Sequence, residues 1–90
     1  MTISARINRI MPGGRNLKAI AAVTLGGVFV IHNVRVIDGR DGLFAAMPGY
    51  VDRCGEFRDH CFPVTAEFNA SLNEAVTQAY RDACEALQQQ

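Results

Sequence analysis

Three kinds of chemistry can be sought among the reactive side chains of this sequence. His32, Asp38, Asp41 and Asp59 are candidate acids and bases; Cys54, His60 and Cys61 are candidate zinc ligands; "PGGR" and "LGGV" are candidate phosphate loops. Each has a plainer reading. His32 lies in a run of β-branched residues, where a lone histidine on an apolar face serves as a core residue bonded to backbone. Asp38 and Asp41 sit with Gly39 and Gly42 in "DGRDG", a turn in which aspartate bonds the local chain. Structural zinc sites draw four ligands from closely spaced pairs. Three cysteines without a C-x-x-C spacing fit reduced thiols in a cytoplasmic chain. Neither glycine pair precedes a helix carrying the Lys-Ser/Thr of a phosphate loop. The expectation is a protein that is not an enzyme and holds no cofactor or metal.

The cations point to a different class. Arg15, Lys18, Arg35, Arg53 and Arg58 could neutralise phosphates, and Tyr50 and Phe57 flank the loop arginines as stacking groups for bases. Net charge is zero overall, yet residues 1–37 carry +5 and residues 38–90 carry −5. That asymmetry fits an anionic partner. It equally fits two halves that neutralise each other, with Arg35 pairing with Asp38 to pin the turn and Arg58 pairing with the adjacent Asp59.

The elements that must position these groups follow from periodicity. Ile3, Ala5 and Ile7 alternate with polar residues, predicting a strand over 2–11 that breaks at "MPGGRN". Strands follow at 17–25, 28–38 and 43–47, with Gly26-Gly27 as a two-residue hairpin turn. If Leu25 opposes Val28, then Leu17, Ala19, Ala21, Val23 and Leu25 share an apolar face with Val28, Val30, His32, Val34 and Val36. The segment after Pro48 reads as an exposed loop feeding a short strand at 56–62, and such loops often carry function.

From 66 to 87 no Gly or Pro intervenes, and Phe68, Leu72, Ala75, Val76, Ala79, Ala83 and Leu87 form one face of an amphipathic helix. Thr65 is its expected N-cap. Ser71 to Glu74 also reads as a capping box, but the longer helix is preferred because Phe68 completes the stripe. One helix covers one face of the sheet. The other face is expected to be covered or extended by a second copy of the chain. No apolar run reaches the roughly 18 residues of a membrane span, and residues 1–10 lack the pattern of a signal peptide.

The segments "AIAAVTL", "FVIHNVRVIDGRDGLFAAMP" and "GEFRDHCFP" resemble, in order and spacing, the SpoVG family (stage V sporulation protein G, or septation protein), over about residues 3–80. The resemblance implies an α+β fold: an antiparallel sheet with a C-terminal helix on one face, in a homodimer joined largely through strands. It also implies a cytoplasmic bacterial regulator of septation and sporulation that binds DNA and can bind RNA. His32, Arg35, Asp38, Gly39, Gly42 and Pro48 match the family's signature and are expected to hold strand and dimer geometry.

Three departures bear on function. The family's Ser-Lys-(Arg/Lys) after Ala-Met-Pro is replaced by Gly49, Tyr50 and Val51, its helix cations by Glu67, Asn69 and Ser71, and its histidine before the last proline by Phe62. Losing about four phosphate contacts would flatten the log-log salt dependence by roughly 3 to 4. Nucleic-acid contact then rests on Arg53 and Arg58, with Arg15, Arg40 and Arg81 contributing less. The alternative is a protein-interaction module on the same dimer scaffold, its acidic helix suited to a basic protein partner.

Overall fold

Alternating apolar and polar residues make β1 (Ile3–Ile10), and β-branched runs make β2 (Leu17–Leu25) and β3 (Phe29–Gly39). A two-residue turn at Arg40-Asp41 leads into β4 (Gly42–Ala46), two short strands β5 (Gly49–Val51) and β6 (Phe57–Asp59) follow, and helix α1 spans Ala66–Gln88. The computed structural model describes residues 1–88 except Pro12 and Gly14, and the side chain of Gln88 is not described. Part of the break expected at 11–16 therefore lies outside the described residues.

Strands β1 to β4 form an antiparallel sheet in sequence order, and α1 packs on one face against both edge strands. The architecture is α+β. Ala19, Ala21, Val23, Val34 and Val36 of the sheet are buried with Met47, Leu72 and Val76. Thr65 caps α1 as its sequence position predicts: its Oγ1 accepts the Phe68 N–H at 3.1 Å, and its carbonyl accepts the Asn69 N–H at 3.0 Å. The capping-box start at Ser71 is not used.

The register between β2 and β3 differs from the expected one through a slip at the turn, a bulge in β3 and a further shift between Leu17 and Ala19 that pairs Leu17 with Ile37 instead of Val36. Gly26 and Gly27 do make the turn, at φ of 60° and 72°, with the Val28 N–H bonded to the Leu25 carbonyl. Val28 is then extruded, 90% exposed, and Phe29 takes its place opposite Leu25. That one-residue slip turns Val30 outward and brings Ile31 against the core beside Val23. A bulge at His32-Asn33, with Asn33 at φ 62°, adds a second residue and restores the parity, so Val34 and Val36 face the helix. His32, expected on the apolar face, is exposed. Asparagine tolerates the left-handed conformation that the bulge imposes.

The edge strand β4 is guarded by the helix. The Ala45 N–H donates to Asn73 Oδ1 at 2.7 Å, and Asn73 is held by its own Nδ2 donating to the Asn69 carbonyl at 2.9 Å and to Asn69 Oδ1 at 3.1 Å. A side chain thus fills an edge position that another strand could occupy. Asn73→Ala leaves this part-buried amide without its partner, at a cost of about 1–3 kcal/mol. The expected result is a lower urea midpoint with an unchanged slope, together with faster exchange of the Ala45 amide.

Candidate functional site

After Met47-Pro48 the chain forms a small second sheet. β5 and β6 pair antiparallel, Gly49 with Asp59, Tyr50 with Arg58 and Val51 with Phe57, and the His60 N–H donates to the Pro48 carbonyl at 2.7 Å. The loop reading of residues 49–51 is thereby corrected, since these three residues acquire a partner strand. β6 is also shorter than the strand expected over 56–62, because beyond Asp59 the chain turns toward the helix.

Asp52 organises the tip. Its Oδ1 accepts the N–H groups of Cys54 at 2.9 Å and Glu56 at 3.0 Å, and its Oδ2 accepts Arg58 Nε at 2.9 Å. The backbone closes the loop as well, Asp52 N–H to the Glu56 carbonyl at 2.8 Å and Gly55 N–H to the Asp52 carbonyl at 3.1 Å. The Arg58 guanidinium holds the Asp52 carboxyl below the ordinary carboxylate range, assisted by the Glu56 amide. Arg58 Nη2 also meets Glu56 Oε2 at 3.1 Å.

Arg35 connects this hairpin to the main sheet. It projects from the face of β3 opposite the helix, donates from Nη2 to the Met47 carbonyl at 3.0 Å, and lies 4.7 Å from the centroid of the Phe57 ring. The expected ion pair of Arg35 with Asp38 is not formed, because the side chain points away from the turn. Asp38 instead donates its N–H to the Asn16 carbonyl at 2.8 Å, and its charge adds to the Cys84 hydrogen bond and burial that push the Tyr80 phenol up. Gly39 and Gly42 pair across the turn, with Gly42 at φ 117°, a conformation that side chains avoid. Pro48 is half-buried, its carbonyl tying β5 to His60.

The five arginines singled out for nucleic acid fall into two groups. Arg53 and Arg58 share the β5–β6 hairpin. Arg15 and Arg40 flank the end of the sheet where Asn16 meets Asp38, and Arg81 follows Tyr80 on the helix. All five are exposed. Arg53, Arg15, Arg40 and Arg81 form no ion pair among the described residues, whereas Arg58 has two.

Two features were missed in the sequence. The Tyr50 and His60 rings stack at 5.4 Å between centroids and 26° between planes, and Tyr50 is still 51% exposed. Asp52 three residues before Gly55 is the one local signal of the tip, an acid opening a turn that a glycine closes. Cys54 lies exposed at that tip while Cys61 packs at the margin of the core, so these thiols are not both available at the surface. Among the described residues no helix is long and apolar enough to cross a membrane.

Comparison with known proteins places this geometry. The SpoVG family model matches residues 1–82. A SpoVG protein of Desulforudis audaxviator, named for septation, is 44% identical over 82 residues, covering 89% of this chain and 92% of its own. One from Listeria monocytogenes is 48% identical over 80 residues, 89% of this chain and 78% of its own; one from Treponema denticola is 45% identical over 75 residues, 83% and 80%. With the family's profile spanning the whole sheet and most of the helix, the chain belongs to the SpoVG family.

Proposed function

We propose that this SpoVG protein is a cytoplasmic, homodimeric regulator of septation, sporulation and gene expression that works by contacting nucleic acid. The septation role is supported by the names of its relatives. Nucleic-acid contact is supported above all by one observation: the hairpin carries an exposed tyrosine ring, backed by His60, together with the exposed Arg53 at its tip. A ring and a cation on one ridge suit a single strand, whose bases stack and whose phosphates attract charge. Dimerisation is supported by the sheet face away from the helix, along which Val30 and Phe44 are 48% and 42% exposed. Sedimentation velocity is expected to give twice the monomer mass.

The experiment is a titration of labelled single-stranded and duplex oligonucleotides by fluorescence anisotropy at two salt concentrations. Binding that weakens with salt is the expected result, and no binding at low salt to either strand form overturns the reading. Tyr50→Ala is expected to weaken single-strand binding about fivefold or more with the salt slope unchanged, because it removes stacking and no charge. Val51→Arg, at a position 65% exposed, is expected to steepen the slope by roughly 0.7.

A second reading, a module that binds a basic protein, is favoured by the apolar surface beside the hairpin. Phe62 and Val64 are 67% and 87% exposed, and Glu67, Glu74, Asp82 and Glu85 are exposed along the neighbouring helix. Salt-insensitive silence toward nucleic acid would favour it.

A further inference from the structure

Arg58 stands out among the exposed cations because one edge of its guanidinium already faces two acids, hydrogen-bonded to one and ion-paired with the other. Nε meets Asp52 Oδ2 at 2.9 Å and Nη2 meets Glu56 Oε2 at 3.1 Å. That edge is one of the two with which an arginine can grip a phosphate bidentately. The two carboxylates belong to the same five-residue tip, and Asp52 is fixed there independently of Arg58 by the amides of Cys54 and Glu56. Its carboxylate is therefore in place before the guanidinium arrives. The Arg58 side chain is nevertheless 57% exposed, and Glu56 is 67% exposed, so solvent and ligands can reach the cluster.

We propose that Asp52 and Glu56 act as a built-in competitor for phosphate, holding Arg58 in reserve and setting the affinity of the hairpin for a nucleic-acid backbone. The proposal rests on the nucleic-acid reading given above. The competition is modest by design, since exposed ion pairs are weak. To use that edge a phosphodiester must displace two carboxylates from one arginine, and removing their charge spares it that exchange.

The geometry allows the competitor to be removed without dismantling the loop. Asn at position 52 keeps an oxygen for the Cys54 and Glu56 amides, and Gln at position 56 replaces an exposed side chain. Asp52→Asn/Glu56→Gln is expected to bind a single-stranded oligonucleotide about three- to tenfold more tightly than the natural chain at low salt. Its log-log salt slope is expected to be steeper by about 0.7, one additional phosphate contact. Adding Arg58→Gln to that pair should return both values to those of the natural chain.

Removing two acids also raises the net charge, so Glu74→Gln/Glu85→Gln, on the exposed helix surface, is the charge-matched comparison. A gain of equal size in that variant, or a gain that survives Arg58→Gln, overturns the proposal in favour of general electrostatics. Binding by the natural chain that the Asp52/Glu56 variant leaves unchanged overturns it while sparing the nucleic-acid reading. Silence of every variant at low salt overturns both.

Discussion

Leu72→Ala is expected to lower the free energy of unfolding by about 2–5 kcal/mol, measured by urea denaturation followed by circular dichroism. Leu72 is 2% exposed and lies in the cluster formed by Val23, Val34, Val36 and Val76, so its truncation leaves a cavity in the layer where helix meets sheet. A chain of 90 residues has a total stability of only about 5–13 kcal/mol, so one such cavity consumes a large share of it. Leu87→Ala is the informative contrast. Both leucines belong to the same stripe in the sequence, but Leu87 is 56% exposed near the C-terminal end of the helix. Its replacement should change stability by less than about 0.5 kcal/mol. Equal losses at the two positions would mean that the C-terminal turns of the helix are covered in solution, as a second copy could do.

The same contrast explains what could be read from the sequence. The helix announces itself locally: a hydroxyl cap at Thr65, an uninterrupted run and a stripe through Leu72 and Val76 are all visible within a few turns. Where the stripe leaves the sheet is a tertiary fact, and Leu87 does not reveal it. Strand pairing was harder because the parity argument assumes an unbroken ladder. One extruded residue at Val28 inverted the faces of Val30, Ile31 and His32, and only the second slip at Asn33 put Val34 and Val36 back where alternation had placed them. An asparagine inside a β-branched run was the signal for that bulge. At the candidate site, the residue types of the loop were readable, but their partners were not. Arg35 lies 22 positions from Phe57, and Arg58 chose Asp52 and Glu56 rather than the adjacent Asp59.

Gly49→Ala is expected to detach the β5–β6 hairpin while leaving the four-stranded sheet intact. A Cβ at this position would strike the Arg58 carbonyl and come within 2.7 Å of the Phe57 ring. The carbonyl cannot move away, because it belongs to the strand that Gly49 and Tyr50 must pair with. The aromatic ring could rotate, but it would then leave the Arg35 guanidinium that ties the hairpin to the main sheet. Overpacking of this kind costs about 1–3 kcal/mol, comparable to what so small a sheet can supply, since an isolated two-stranded hairpin is marginal in water. Hydrogen exchange should therefore show lost protection at the Asp52 and His60 amides, whose acceptors are Glu56 and Pro48, with β2 and β3 amides unchanged. Gly13→Ala is the matched control, because among the described residues a Cβ there meets nothing within 4 Å. If the hairpin holds the nucleic-acid surface, Gly49→Ala must lose oligonucleotide binding along with that protection, whereas Gly13→Ala keeps both. Binding that persists after the hairpin has come loose would move the contact surface to the other group of arginines, at Arg15, Arg40 and Arg81.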